Sequence, residues 1–166
     1  MIVCTGNICR SPMAQIVLHE HLRDAGIDHR VEVDSTGVSD EEAGNPVDPR
    51  ARRVLAAHGY PAGDGHRARQ VRADQLAERD LVLAMTTRHA SALRRIADGT
   101  EVDIRMYRSF DPAAPEVPDG GSESVLDVED PWYGDLDGFE TCLAQVEAAA
   151  AGIVAHVRAE LAVSRS

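Results

Sequence analysis

Apolar and polar positions along this chain follow two periods in turn. Short apolar or alternating runs, the pattern of β-strands, lie at 1–3, 31–35, 81–85 and 102–106. Longer segments with apolar residues at helical spacing lie at 12–25, 48–58, 72–78, 87–97 and 136–161. Strands that alternate with helices in this way predict an α/β fold around a parallel sheet.

Residue types that begin and end helices support these boundaries. Ser11, Asp48 and Thr87 stand at the starts of helical segments and are predicted N-caps, and Gly26 and Gly59 are predicted stops. The segment 107–135 shows neither period and contains several prolines and glycines, so it is predicted to be a long loop, a kind of segment that often carries function.

A short segment with distinctive chemistry joins the first strand to the first helix. Its sequence from Cys4 to Pro12 is CTGNICRSP. In a strand–loop–helix unit, the loop N–H groups and the helix N-terminus converge and form an anion site. Arg10 adds a planar fork that can bind two phosphate oxygens at once. Gly6 and Asn7 are residue types that tolerate the positive φ of a tight loop.

Cys4 is expected to lie at the base of this anion site. A thiol surrounded by N–H dipoles and a guanidinium is favoured as the thiolate, and we expect it to be exposed. A thiolate beneath a bound phosphate is a nucleophile aimed at phosphorus. The segment therefore predicts phosphoryl chemistry through a cysteine.

Composition narrows the classes of function. A chain of 166 residues is expected to form a single domain, 1–166, and its formal net charge of −11 argues against non-specific nucleic-acid binding. All 17 basic residues are arginine, which excludes a lysine-dependent phosphate loop and Schiff-base chemistry. Three cysteines do not indicate a disulfide framework, and no metal-ligand spacing appears.

Neither a run of membrane-spanning length nor a signal peptide is visible in the sequence. We therefore expect a cytoplasmic monomer that binds no membrane and no nucleic acid and needs no metal or other cofactor.

The Cys-x5-Arg-Ser segment at the N-terminus resembles the phosphate loop of the low molecular weight protein tyrosine phosphatases. A second signature of that family, an Asp-Pro followed by aromatic residues, is present as DPWYGD at 130–135. Further similar stretches lie at 34–37, 44–50 and 66–70. The resemblance implies a three-layer sandwich with a four-stranded, doubly wound parallel sheet and the phosphate loop after its first strand.

The resemblance also implies the catalytic roles. Cys4 would be the nucleophile, Arg10 would hold the phosphoryl oxygens, and Asp130 would act first as general acid and then as general base. The phosphate would be bound by the loop residues Thr5, Gly6, Asn7, Ile8, Cys9, Arg10 and Ser11.

Other residues would shape and support the site. By resemblance, Ser11 donates to the thiolate, Asn7 pins the loop, and Ser35 and His66 support Asn7 and the loop. The substrate cleft would be lined by Trp132, Tyr133, Glu41 and Glu42.

The chain departs from the family pattern in three places. Only three residues precede Cys4, so either the first strand is short or the true start lies upstream. Glu41 and Glu42 stand where the family often has an aromatic residue and a polar neighbour, and they are expected to repel acidic substrate flanks. Met85-Thr86 stands where an Asp commonly follows the strand, so a polar contact to the phosphate loop is expected to be altered.

These observations favour a phosphatase that hydrolyses protein phosphotyrosine and releases phosphate, which also acts as inhibitor. Small phosphorylated metabolites and phosphoarginine remain alternative substrates, although Ile8 adds apolar bulk that favours an aromatic ring over a guanidinium. A thioredoxin-coupled arsenate reductase of the same fold would need a further relay cysteine, and only Cys142 is left. A phosphate-binding module without catalysis is disfavoured by the complete set of Cys4, Arg10 and Asp130.

Cys9 shares the loop with Cys4, which suggests redox control. We expect oxidised Cys4 to be trapped as a disulfide with Cys9.

Overall fold

In a computed structural model, which describes residues 1–163, short strands form one parallel sheet. The strands are β1 (Ile2–Cys4), β2 (Ser35–Gly37), β3 (Val82–Ala84) and β4 (Ile104–Met106), in the spatial order β2–β1–β3–β4. The helices in this part of the chain are α1 (Arg10–Asp24), α2 (Pro49–Ala57), α3 (Ala73–Ala77), α4 (Thr87–Ala97) and α5 (Leu136–Val163).

Alternation along each strand divides the core between the two faces of the sheet. Ile2 and Cys4 of β1 pack with α1, α2 and α5, whereas Val3 between them packs with α3 and α4. Tyr107 and Phe139, both fully buried, belong to the first of these cores. The predicted four-stranded sheet with helices on both faces is therefore confirmed.

Some predicted boundaries were wrong. The second strand comprises 35–37, not 31–35, because Ser35 pairs with Ile2 and Gly37 with Cys4. Helix α1 begins at Arg10, so Ser11 lies inside its first turn and does not cap it. Helix α4 is capped by Thr86, whose side-chain oxygen accepts from the N–H of His89, so Thr87 is not the cap.

The structure agrees with the prediction for α2. The Asp48 side chain accepts a hydrogen bond of 2.8 Å from the N–H of Arg50, so Asp48 is the N-cap. His58 ends the helix, and Gly59 follows it with φ of 81°.

The order of the strands decides where the chemistry lies. Cys4 is the last residue of β1, which has β2 on one side and β3 on the other. The connection from β1 leads to β2 on one side, and the connection from β3 leads to β4 on the other. Ligands of open parallel sheets bind at such a switch point, beyond the carboxyl ends of the strands. Within residues 1–163, no helix is both long and apolar enough to cross a membrane.

Candidate active site

In the loop after β1, backbone carbonyls accept hydrogen bonds from the surrounding chain, whereas the backbone N–H groups do not donate any within the described part of the chain. The loop carbonyls are taken up by the surrounding chain: Ser39 N donates to the Thr5 carbonyl at 3.0 Å, and Asp48 N donates to the Ile8 carbonyl at 2.8 Å. By contrast, the N–H groups from Thr5 to Arg10 donate no hydrogen bond to any described residue. A loop whose carbonyls point outward and whose N–H groups are left over, ending at the N-terminus of a 15-residue helix, is suited to bind an anion.

Cys4 lies at the floor of this loop. The residue is only 2% exposed, so the expectation of an exposed thiol was wrong, although Cys4 still lines the cleft above the loop. The Sγ lies 3.0 Å from the Ser11 hydroxyl oxygen. That oxygen accepts a bond of 2.9 Å from Asn7 Nδ2, and its own proton has two partners in reach, the Cys4 sulfur and the Thr36 carbonyl at 3.3 Å.

Asn7 holds the loop in its shape. It is one of two described residues other than glycine with positive φ, at 61°, whereas Gly6 does not share this conformation. Besides its bond to Ser11, Asn7 Nδ2 donates to Ser35 Oγ at 2.9 Å, and Asn7 Oδ1 accepts from the N–H of Arg69 at 3.0 Å.

His66 completes these contacts around Asn7. Its Nε2 lies 2.8 Å from the Asn7 carbonyl oxygen, and because a carbonyl only accepts, this nitrogen is the donor. Burial lowers the pKa of His66, which favours the neutral ring that makes this bond. The structure thus brings Asn7, Ser11, Ser35 and His66 together, as the resemblance implied.

Arg10 and Asp130 meet at the mouth of the loop. Arg10 Nη2 donates to Asp130 Oδ2 at 2.8 Å, and Nη1 donates to the Val128 carbonyl at 3.1 Å. The Arg10 side chain is buried, and its Nε has no hydrogen-bond partner among the described residues. A buried guanidinium donor without a partner beside unpaired loop N–H groups adds to the capacity of this site to bind an anion.

Sequence reasoning missed His89. Its Nε2 lies 2.8 Å from Thr5 Oγ1, and its Nδ1 lies 3.0 Å from Thr86 Oγ1. Burial lowers the pKa of His89 to about 3, with a smaller contribution from Arg10, so the ring is neutral near pH 7. Thr5 Oγ1 also accepts from Arg10 Nη2 at 3.4 Å, so the Thr5 hydroxyl joins the histidine to the arginine.

His89 provides the polar contact to the phosphate loop that was expected to be altered after β3. Thr86 does not reach the phosphate loop itself, but it holds the histidine that does. The signal that was available in the sequence is the spacing Thr86-x-x-His89 at the start of a helix beyond a buried strand.

The cleft above the loop has a volume of about 120 Å³ and unlike walls. Trp132 and Tyr133 form one wall, with Tyr133 91% exposed, and Glu41 and Glu42 form the other. A Cβ at Gly6 would lie 2.9 Å from the Glu42 Cγ, so the glycine allows the acidic segment to approach the loop. The predicted lining residues are therefore brought together here.

Arg50 is a second residue that sequence reasoning did not single out. Its Nη1 donates to the carbonyls of Trp132 and Gly134, both at 3.1 Å, and its guanidinium lies over the rings of Trp132 and Phe139. Asp48 holds the same guanidinium through a bond of 3.0 Å. Helix α2 thereby fixes the segment that carries Asp130.

The remaining cysteines are buried free thiols. Cys9 is 5% exposed, and burial raises its pKa well above the ordinary value. Cys142 on α5 is 2% exposed, and burial raises its pKa to about 12. Among the described residues, no group of three or more His, Cys, Asp or Glu side chains is arranged to hold a metal ion.

Known proteins resemble this chain in sequence and in fold. The family model described as low molecular weight phosphotyrosine protein phosphatase matches residues 1–163. A low molecular weight protein-tyrosine-phosphatase of Streptomyces coelicolor is 49% identical over 162 residues, which cover 96% of this chain and 93% of the relative. Low molecular weight protein-tyrosine phosphatase A of Mycobacterium tuberculosis is 45% identical over 152 residues, covering 91% of this chain and 86% of the relative. The solved structure of Vibrio vulnificus Wzb in complex with benzylphosphonate is 25% identical, with a TM-score of 0.75 and coverage of 93% of this chain and 95% of that one.

Proposed function

The chain belongs to the low molecular weight phosphotyrosine protein phosphatase family, and from this premise we propose that it hydrolyses phosphotyrosine in proteins with Cys4 as the nucleophile. One observation carries the proposal. Cys4 lines one cleft together with the loop whose N–H groups are unpaired, the buried Arg10 guanidinium and Asp130, which Arg10 holds.

In the first step, the Cys4 thiolate attacks phosphorus and the bond from phosphorus to the phenolic oxygen breaks. The loop N–H groups and Arg10 bind the equatorial oxygens, whose charge they stabilise in the transition state. Asp130 gives its proton to the leaving oxygen. Bound phosphate competes with Asp130 for the Arg10 guanidinium, which frees the Asp130 carboxyl to face the leaving oxygen.

In the second step, water hydrolyses the phosphocysteine. The Asp130 carboxylate takes a proton from the water, the water oxygen attacks phosphorus, and the bond from phosphorus to sulfur breaks. The Ser11 hydroxyl, 3.0 Å from Sγ, donates to the departing thiolate and makes it a better leaving group. Inorganic phosphate leaves the cleft, and the enzyme returns to its starting state.

The nucleophile is tested with Cys4→Ser. We expect kcat on phenyl phosphate and on a phosphotyrosine peptide to fall by at least about a thousandfold, while calorimetry shows that inorganic phosphate still binds. A Cys4→Ser protein that kept most of its activity would contradict the mechanism.

The general acid is tested with Asp130→Asn, for which we expect a loss of about 10²–10⁴ in kcat on phenyl phosphate. The loss should be smaller on p-nitrophenyl phosphate, whose leaving oxygen needs less help from a proton. Asp119→Asn, an exposed aspartate away from the cleft, is the matched control and should change neither value. An equal loss on both esters would mean that Asp130 is not the acid.

The same assays address the alternative substrates. Turnover should be greatest for phosphotyrosine peptides and much lower for phosphoarginine and aliphatic phosphates, because Ile8 and Trp132 give the cleft apolar surface for an aromatic ring. A thioredoxin-coupled reductase is not favoured: Cys142 is 2% exposed and so offers no outward relay for a disulfide. An arsenate-dependent loss of thiols in reduced protein would reverse that conclusion.

A further inference from the structure

A large groove adjoins the cleft on the side away from Glu41 and Glu42. Its volume is about 1270 Å³, and it shares Thr5, Arg10, Asp130 and Tyr133 with the cleft, so the two are continuous. Its outer wall is formed by one face of α4 and by the segment after β4. A substrate chain that presents a side chain to Cys4 can therefore extend into the groove.

The groove contains arginines that have no partners among the described residues. Arg88 and Arg95 are seven residues apart on α4 and thus lie on one face of the helix, and Arg108 reaches the groove from the segment after β4. None of their side chains makes a hydrogen bond or ion pair with a described residue, and the Nε of Arg108 is buried without a partner. Several arginines outside the groove are paired: Arg94 on the same helix lies near Glu123, and Arg52 pairs with Asp64. Arg53 on α2 is exposed and, like the groove arginines, makes no ion pair with a described residue, but it stands apart from the cleft.

The acidic groups of the groove do not neutralise these arginines directly. Asp127 Oδ1 already accepts from the N–H of Thr87 at 2.7 Å and serves the start of α4. Glu129 is exposed on the rim, and Asp130 is taken up by Arg10. The two sides of the active site therefore differ in charge. Glu41 and Glu42 make one side acidic, and the groove on the other side has three arginines that no described residue pairs with.

We propose that this groove binds anionic side chains of the substrate polypeptide on one side of the phosphotyrosine. The inference rests on the proposed phosphotyrosine phosphatase function and specifies its substrates: chains with carboxylates, or a second phosphate, on the side that enters the groove. The exposed apolar surface of Val125 and the half-buried Val38 and Ile96 line the same groove and provide contact for the chain between the charges. The acidic wall disfavours anionic residues on the opposite side.

The test uses phosphotyrosine peptides that have neutral flanks, glutamates only on the N-terminal side, glutamates only on the C-terminal side, or phosphoserine in place of one glutamate on either side. The readout is the ratio of kcat/KM for each charged peptide to that for the neutral peptide, which cancels any loss common to both. Wild-type protein, Arg88→Gln/Arg95→Gln and the matched double control Arg53→Gln/Arg94→Gln are compared. Arg53 and Arg94 are exposed arginines outside the groove, so the control makes the same change in net charge.

In the wild type we expect a roughly two- to tenfold preference for anionic residues on one side only, since exposed ion pairs are individually weak. The preference should shrink between about 50 and 500 mM salt, disappear in Arg88→Gln/Arg95→Gln and persist in Arg53→Gln/Arg94→Gln. Response to glutamate and to phosphoserine alike assigns the site to anions in general, and response to phosphoserine alone assigns it to a second phosphate.

No preference in the wild type, a preference on both sides, or a preference that survives Arg88→Gln/Arg95→Gln would overturn the inference. These outcomes leave the proposed function standing if the neutral peptide and p-nitrophenyl phosphate are still hydrolysed through Cys4. Failure of the proposed function would be seen in a separate measurement, as hydrolysis that Cys4→Ser retains.

Discussion

At the scale of single residues, the phosphate loop is shaped by polar side chains that occupy its outward-facing groups. His66 donates to the Asn7 carbonyl, and the Asn7 side chain donates to the hydroxyls of Ser11 and Ser35. His89 is hydrogen-bonded to the Thr5 hydroxyl. Each contact fixes a group that would otherwise compete with the anion for the loop N–H groups. A buried loop of this kind retains one shape because its polar groups have partners on every side except the one that faces the ligand.

His89 is predicted to be a positioning residue for Thr5 and Arg10. In His89→Ala, Thr5 keeps only its contact with Arg10, and we expect kcat/KM on p-nitrophenyl phosphate to fall roughly tenfold, by about 1.4 kcal/mol, with weaker inhibition by phosphate. His89→Gln should restore most of the activity, because its amide can offer Thr5 either an acceptor or a donor.

The acid limb of the pH–rate profile separates positioning from proton transfer. The pKa of His89 is lowered to about 3 by burial, so the limb should coincide in the wild type and His89→Gln. His19→Ala, an exposed histidine on α1, serves as control. Failure of glutamine to restore activity while the protein remains folded would contradict the role.

Cys9 is predicted to protect Cys4 from irreversible oxidation. Peroxide converts the Cys4 thiolate to a sulfenic acid and hydroxide; Cys9 then attacks that sulfur, and the departing oxygen leaves as water. Because burial raises the pKa of Cys9, formation of the disulfide should speed up as pH rises toward 9. Wild type and Cys9→Ala are treated with peroxide and then with reductant, and recovered activity is compared. Equal recovery would show that Cys9 is only a packing residue.

At the scale of elements, the general-acid segment is positioned by a helix from another part of the chain. Residues 131–133 form a short 3-10 turn. Arg50 of α2 donates to the carbonyl of Trp132 in this turn and to that of Gly134, which follows it. Asp48, which caps the same helix, holds Arg50 in turn. One helix N-terminus thus links the stability of α2 to the placement of Asp130.

Arg50→Ala is therefore predicted to lower kcat roughly tenfold by loosening this segment. Burial alone would raise the pKa of Asp48, but bonds from Arg50 hold it below its ordinary value, so removal of the guanidinium should also cost about 1–3 kcal/mol of stability. Trp132 is the single tryptophan, and its fluorescence should become more accessible to acrylamide.

Arg52→Ala removes the neighbouring arginine, which pairs with the exposed Asp64, and should change neither quenching nor kcat. Unchanged quenching of Trp132 in folded Arg50→Ala would contradict the role of Arg50. Arg50→Lys should restore little, since lysine lacks the planar fork.

At the scale of the whole molecule, the buried histidines of the site make the protein less stable at acidic pH. Burial lowers the pKa of His89 to about 3 and lowers that of His66, both from an ordinary value of 6.5. The unfolded chain takes up these protons below about pH 6.5 and the folded protein does not. Stability is therefore complete above that pH and is lost as pH falls toward the lowered pKa values.

Between about pH 6.5 and 4.5, the free energy of unfolding should decrease by up to about 1.4 kcal/mol per pH unit through His89, and His66 adds a loss in the same direction. Urea titrations followed by circular dichroism measure this slope, which should be shallower in His89→Gln.

A second loss of stability below about pH 4 is expected from Asp34. Burial raises the pKa of Asp34, but bonds to Arg79 and the charges nearby hold it below 3.8. For the histidine, the deciding comparison is again between the two proteins. Parallel curves for wild type and His89→Gln would contradict a buried neutral His89.

Much of this molecule follows from local patterns in its sequence. The alternation of short apolar runs with helical segments determined the sheet and its helices, since periodicity reflects which face each element buries. The order of residues from Cys4 to Ser11 determined the anion-binding loop, because the thiol, the arginine and the loop N–H groups are close in the chain. Cap chemistry was sufficient at Asp48, whose oxygen reaches a backbone N–H only two residues away.

Contacts between distant parts of the chain were decided only by the tertiary structure. Strand β2 lies at 35–37 because β1 pairs with those residues, although 31–35 has the better alternation. His89 reaches Thr5 across 84 positions and Arg50 reaches Trp132 across 82, distances over which no local pattern operates. The burial of Cys4, the neutral state of His89 and the joining of Arg88, Arg95 and Arg108 in one groove depend on which elements the fold packs side by side.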